Sequence, residues 1–132
     1  SKTITVFDNG VHRKHNLDYS RAIEIDAKSK KILWEYSDNP VFSFYSYFGG
    51  GVDYLPNGNY LICETAKGQL FEVTRDKKVV WEYISPFFYG NPRLGGRMNA
   101  TFRAHRYGVD YPGLKNKNLN PRNHINLNRL LK

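Results

Sequence analysis

The side chains that could carry chemistry in this sequence are few and scattered. Four histidines, His12, His15, His105 and His124, stand far apart, and Cys63 is the only cysteine. A single thiol excludes an internal disulfide framework, a thiolate zinc site and a two-cysteine redox motif, and it leaves the compartment open. His12 and His15 are three apart in the polar loop 10–18, not on one helix face, so their spacing does not suit metal ligation. We therefore expect no metal site and no cofactor. Anion chemistry remains. His12 and Arg13 directly follow Phe7-Asp8-Asn9-Gly10, Arg21 opens an apolar strand, and His105 lies between Arg103 and Arg106. Imidazole and guanidinium groups hold oxyanions where they converge. Each also has a plainer reading: an exposed loop histidine for His12, a rim charge for Arg21, packing or exposure for His105, and an inert tail position for His124. The run Gly49-Gly50-Gly51 lacks the Lys-Ser/Thr and the helix of a phosphate loop. Asn99-Ala100-Thr101 is a glycosylation sequon, a tripeptide that arises often by chance.

The elements that position these residues come from an internal repeat. Residues 20–37, SRAIEIDAKSKKILWEYS, match residues 68–85, GQLFEVTRDKKVVWEYIS. Each gives an apolar strand, a charged turn, a second strand and Trp-Glu-Tyr. Ala22, Glu24 and Asp26 alternate with Ile23 and Ile25, the period of a strand. KTITVFDNG aligns loosely with GNYLICETAKG upstream of the second copy. Strands are expected near 2–8, 20–26 and 31–36, and then near 51–55, 59–65, 69–74 and 78–83, with Pro56-Asn57-Gly58 as a turn. A four-stranded repeat of this length is the pattern of a β-propeller blade.

The expected fold is therefore all-β, a partial β-propeller of about two four-stranded antiparallel blades. Residues 1–37 form an incomplete blade without its inner strand, 38–50 an aromatic and glycine-rich crossover, and 51–85 a complete blade. Residues 86–111 form a closing segment and 112–132 a basic, Asn-rich tail. Two blades cannot close a propeller, so Ile23, Ile25, Leu33, Phe71, Val73 and Val80 would need partners. The chain is then a fragment of a longer polypeptide, which the phase of the repeat favours, or it completes its fold by association. The alternative architecture is a small β-sandwich of two similar sheets. Within the blades, Trp34 and Trp81 are expected in blade-to-blade packing, and Asp8 and Asn9 in a turn with Asn9 tolerating left-handed backbone. The stretch VFSFYSYF at 41–48 would bury alternate rings between blades or wall a phenol site. His12, Arg13 and Arg21 are the candidates to face the central channel.

The net charge of +8 is not spread over this framework. Residues 1–85 hold eleven Lys/Arg and eleven Asp/Glu, whereas residues 86–132 hold nine Lys/Arg and one acid, Asp110. A basic tail of this kind could follow an anionic protein surface, lipid headgroups or nucleic acid. It lacks the regular aromatic interleaving of a nucleic-acid stacking platform, which argues against that partner. NHINLNRLLK at 123–132 places Ile125, Leu127, Leu130 and Leu131 where a short docking helix or strand could use them. No stretch approaches the eighteen apolar residues of a membrane span, and the first ten residues lack a signal-peptide layout.

FDNG at 7–10, YSRAIEID at 19–26, WEY at 34–36, LPNGNYLICE at 55–64, GQLFEVT at 68–74 and VVWEY at 79–83 together resemble the C-terminal blades of arylsulfotransferase-type β-propellers. FRAHRY at 102–107, followed by Tyr111-Pro-Gly, resembles the closing segment of that family. The resemblance covers roughly residues 3–113 in order. It implies sulfuryl transfer from an aryl sulfate to a phenol through a transient sulfohistidine, in an exported, periplasmic or extracellular protein. The family's nucleophile lies on an inner strand shortly before the FDNG segment, so the resemblance implies a catalytic histidine outside this chain. The matching strand of the second blade offers Asp53. The chain would contribute substrate-binding groups: His12, Arg13, Arg21, His105 and Arg106. Related propellers often carry an arginine where this chain has Asp53-Tyr54 and another where it has Gln69. Those losses, with the charged tail, support the alternative of a non-catalytic interaction module within a larger assembly.

Overall fold

The computed structural model describes residues 2–14, 17–91, 93 and 95–124. Among these, the regular structure is all β, with short 3-10 turns and no α-helix. A first antiparallel sheet runs β1 (Thr3–Asp8), β2 (Arg21–Asp26), β3 (Ile32–Tyr36), and a second runs β4 (Gly51–Tyr54), β5 (Tyr60–Glu64), β6 (Gln69–Val73), β7 (Val79–Ile84). A small hairpin, β8 (Tyr89–Asn91) with β9 (Gly96–Met98), follows. The seven strands of the first two sheets lie where the alternation places them, three in the first unit and four in the second. The hairpin escapes that reading because strands of three residues with glycines at 90, 95 and 96 show no sustained period of two.

The repeat extends to register. Glu24 stands opposite Trp34 and Glu72 opposite Trp81, and in both sheets the pairing slips at the very next residue. A bulge of this kind sharpens strand twist, so both sheets twist at the same place. Trp34 and Tyr36 stack at 6.4 Å and 17°, and Trp81 and Tyr83 at 6.4 Å and 9°. The connecting turns match as well, with Lys30 and Lys77 each in left-handed backbone.

The two sheets do not use equivalent faces against each other. The first presents the face carrying Phe7, Ala22, Glu24, Trp34 and Tyr36. The second receives it on Val52, Tyr60, Ile62, Phe71 and Val73, the face opposite its own Glu72 and Trp81. Trp34 lies flat on Tyr60 at 3.7 Å and 10°, and its indole N–H donates to the Arg75 carbonyl at 2.9 Å. The Tyr60 hydroxyl donates to Glu24 at 2.7 Å, and Arg75 reaches both groups, at 2.8 Å and 3.1 Å. A buried carboxylate is tolerated here because its acceptor capacity is filled by a hydroxyl and a guanidinium.

Of the crossover aromatics, Phe44 is buried. It sits edge-on to Phe7 and to Phe71, and Ser46 is the next buried position, while Phe42 and Tyr47 face outward. Alternation therefore holds across this stretch, but it buries one ring and a serine, not a row of rings. Gly50 is required by close approach, because a Cβ there would fall 2.2 Å from the Phe7 ring. Phe71 and Val73 find their partner in the first sheet, while Leu33 and Val80 remain about half exposed.

Trp34→Ala empties the centre of the inter-sheet contact and should cost about 3–5 kcal/mol in urea denaturation of the full chain. Glu24→Ala should cost about 2 kcal/mol by leaving Arg75 and the Tyr60 hydroxyl without their acceptor. Trp81, at 41% exposure against 6% for Trp34, is the internal control. A Trp81→Ala loss as large as that of Trp34→Ala would contradict this account of the joint.

Candidate functional site

An open cavity of about 770 Å³ lies on the face of the first sheet turned away from the second, and it brings His12, Arg13 and Arg21 together. The β1–β2 pairing sets Asp8 opposite Arg21, and the turn at Gly10, with a φ of 77°, folds Arg13 back toward the same carboxylate. Arg13 Nη2 meets Asp8 Oδ2 at 2.6 Å, while Arg21 donates to it through Nε at 2.9 Å and Nη2 at 2.8 Å. Arg21 Nη1 reaches Glu35 at 2.8 Å. Burial pushes the Asp8 carboxyl up, but the hydrogen bonds and charges of Arg13 and Arg21 outweigh it and hold the group below its usual value. Two guanidinium groups are thus answered by two carboxylates, and His12 is the exposed imidazole at the rim. The left-handed turn residue is Gly10, not Asn9. The Asn9 amide instead donates to the Ser46 and Gly49 carbonyls and ties the turn to the crossover.

His105 and Arg106 belong elsewhere. Residues 99–107 cross the Glu72 and Trp81 face of the second sheet. Cys63 Sγ donates to the Thr101 carbonyl at 3.0 Å, and Arg106 pairs with Glu72 while its guanidinium covers Trp81 at 4.7 Å. Asn57 and Asn59 fill the other Glu72 oxygen at 2.9 Å and 2.6 Å. On β4, Asp53 holds Arg103 through one oxygen and His105 Nδ1 through the other, both at 2.9 Å. A second cavity of about 390 Å³ opens beside this pair and includes Tyr54 and Tyr107. The five candidate residues therefore fall into two groups on two sheets. The sequence reading missed Asp8, Glu35 and Glu72 as counter-charges. The equivalence of Glu24 and Glu72 in the repeat was the available signal for one of them.

Other chemistry-bearing groups are occupied by the fold. Glu64 is 1% exposed and accepts the Tyr45 N–H at 2.9 Å and Lys67 at 2.7 Å; burial still pushes its carboxyl up. Burial likewise raises the Cys63 thiol, which disfavours a reactive thiolate. Asn99 is buried and its side-chain amide donates to the Ser85 carbonyl, so the sequon is closed to glycosylation in the folded chain. Among the described residues no group of three or more His, Cys, Asp and Glu side chains is placed to hold a metal, and no helix is long and apolar enough to cross a membrane. His15 and the expected docking element at 125–132 lie outside the described residues. Comparison with protein-family models, with characterised proteins and with solved structures finds no match.

Asp8 and Glu24 both titrate below their ordinary values. In Glu24, burial raises the pKa but the Tyr60, Thr3 and Arg75 hydrogen bonds lower it further. Each contributes stability that is present above about pH 4 and lost as pH falls through the folded value. Glu64 works in the opposite sense, since its raised pKa relieves the fold when it protonates. The urea midpoint should therefore fall between about pH 6 and pH 3. Asp8→Asn should lower the neutral-pH midpoint and flatten that acid limb, and Glu64→Gln should steepen it. An acid limb unchanged in Asp8→Asn would rule out the Arg13–Asp8–Arg21 cluster as its source.

Proposed function

We propose that the two main sheets are adjacent blades of a β-propeller and that the chain is the C-terminal part of an arylsulfotransferase-like protein. Its parent would transfer a sulfuryl group from an aryl sulfate to a phenol through a sulfohistidine outside this chain. The observation that carries the blade reading is the head-to-tail use of faces. In a two-sheet sandwich built from a repeat, each sheet would bury its equivalent face. Here the first sheet offers its Glu24–Trp34 face, and the second takes it on the opposite one. That relation iterates around a propeller. It also leaves Ile4 at 51% and Leu33 at 48% exposure on the far side of the first sheet, where a further blade of the parent would sit. The activity rests on the ordered resemblance of FDNG, YSRAIEID, LPNGNYLICE, GQLFEVT, VVWEY and FRAHRY. In this reading His12, Arg13 and Arg21 face the channel, His105 and Arg106 lie near the inner strand β4, and the protein is periplasmic or extracellular.

A second reading, a non-catalytic interaction module, draws on the neutralised arginines. Arg13 and Arg21 already hold Asp8 and Glu35, and Arg106 already holds Glu72, so little cationic capacity remains for a sulfate. The partners would be the remaining blades and an anionic protein surface met by the basic tail. The deciding experiment isolates the native polypeptide, measures its mass and offers it 4-nitrophenyl sulfate with a phenol acceptor. The enzyme reading expects a chain several times larger than 15.4 kDa, turnover, and an acid-labile sulfuryl adduct on histidine. A large propeller without turnover or adduct selects the interaction module. A cooperative 132-residue monomer would overturn both and restore the sandwich.

A further inference from the structure

The second cavity holds an oriented imidazole among aromatic walls. Asp53 lies on β4, and its Oδ2 is 2.9 Å from His105 Nδ1. A carboxylate at that distance fixes the Nδ1–H tautomer and leaves Nε2 as the lone-pair acceptor. The other Asp53 oxygen is held by Arg103 at 2.9 Å, so the carboxylate is itself anchored. Tyr54 and Tyr107 line the cavity with His105, and each is braced by a second ring. Tyr54 meets Tyr60 edge-on at 5.3 Å, and Tyr107 lies against Tyr111 at 4.3 Å. Leu55 and Pro56 form an apolar side, and Thr5 and Arg106 add polar groups to the lining. A volume of about 390 Å³ lies within the range of small-molecule sites and has room for an aromatic ring.

We propose that this cavity binds a phenol, with its ring against Tyr54 and Tyr107 and its hydroxyl donating to Nε2 of His105. The chemistry selects the ligand class. Aromatic walls favour a flat ring, and a neutral imidazole acceptor requires an O–H or N–H. When the phenol ionises, its O–H bond breaks, the proton moves to Nε2, and the electron pair stays on oxygen. The resulting imidazolium is stabilised by Asp53 through Nδ1–H. His105 thus acts as a general base that makes the phenolic oxygen a nucleophile. The assignment deepens the sulfuryl-transfer reading by naming where the acceptor sits and what removes its proton, and its test does not require transfer to occur.

The test titrates the full chain with 4-nitrophenol, following heat and the yellow phenolate absorbance at a pH where the free phenol is mostly protonated. The expected result is saturable binding with growth of the phenolate band. His105→Gln and Asp53→Asn should weaken binding about tenfold, as expected for loss of a charge-assisted hydrogen bond, and abolish the band. His105 is about half exposed, so its variant should keep the wild-type urea midpoint. A control within the wild-type chain uses 4-nitroanisole, which has the ring but no hydroxyl and should bind at least tenfold more weakly. The proposal is overturned by equal affinity for the methyl ether, by unchanged 4-nitrophenol binding in His105→Gln, or by no saturable binding to the folded chain. Phenol binding without aryl-sulfate turnover in the parent would keep this site and remove the transferase reading; turnover without binding here would do the reverse.

Discussion

The structure depends on one joint, the flat contact of Trp34 on Tyr60 with its polar border of Glu24 and Arg75. Its apolar part is large but has no direction of its own; two faces rich in aromatic and branched side chains could slide past each other. The hydroxyl–carboxylate–guanidinium set removes that freedom. Glu24 is buried and would be costly in any register that did not deliver both Tyr60 and Arg75 to it. The indole N–H on the Arg75 carbonyl fixes the β6–β7 turn to the same point, and Thr5, donating to the Val52 carbonyl at 2.8 Å, fixes the other end of the contact. A specific angle between the sheets follows, and with it the placement of both cavities.

The same economy of charge shapes the candidate sites. Three arginines that a sequence reading offers to an anion are each committed to a carboxylate that the fold brings alongside. Asp8 sits between Arg13 and Arg21 because β1 and β2 pair in that register and because Gly10 lets the chain turn back. Such a cluster organises the rim of the first cavity more than it attracts a ligand. In the second cavity the balance differs. Asp53 is shared by Arg103 and His105, and among the described residues the imidazole has Asp53 as its hydrogen-bond partner through Nδ1 alone. Chemistry is better served by a group held on one side and open on the other than by a saturated one.

Much of the architecture was legible because strand alternation and repetition are local signals. Ile23 and Ile25 between Ala22, Glu24 and Asp26, and the recurrence of Trp-Glu-Tyr, are enough to place seven strands. What they could not convey was which face turns inward. An apolar count along β2 points to Ile23 and Ile25, and Ile23 is buried, yet the face that meets the second sheet carries Ala22 and Glu24. The deciding partners, Tyr60 and Arg75, are 36 and 51 residues from Glu24. Counter-charges were hidden for the same reason: Glu72 and Arg106 are 34 apart, and no period links them. His105 was singled out among its arginines, but its partner Asp53 is 52 residues away and only the packing of 99–107 across β4 brings them together.

The repeat also explains why the stack of sheets stops at residues 99–107. The Glu72–Trp81 face of the second sheet has the chemistry to dock on a face like its own sheet's Tyr60–Arg75 side. The register puts Ile4 of the first sheet where the second has Tyr60, and the turn position corresponding to Arg75 is Ala27. A second copy's Glu72 seated there would meet neither the hydroxyl nor the guanidinium that Tyr60 and Arg75 offer Glu24. Arg106 supplies the missing cation from within the chain instead, covering Trp81 and pairing with Glu72 at once. The two ends of the stack are therefore unlike. One is closed by a strap that mimics the polar half of the joint, and the other carries Ile4 and Val6 beside the Arg13–Asp8–Arg21 cluster.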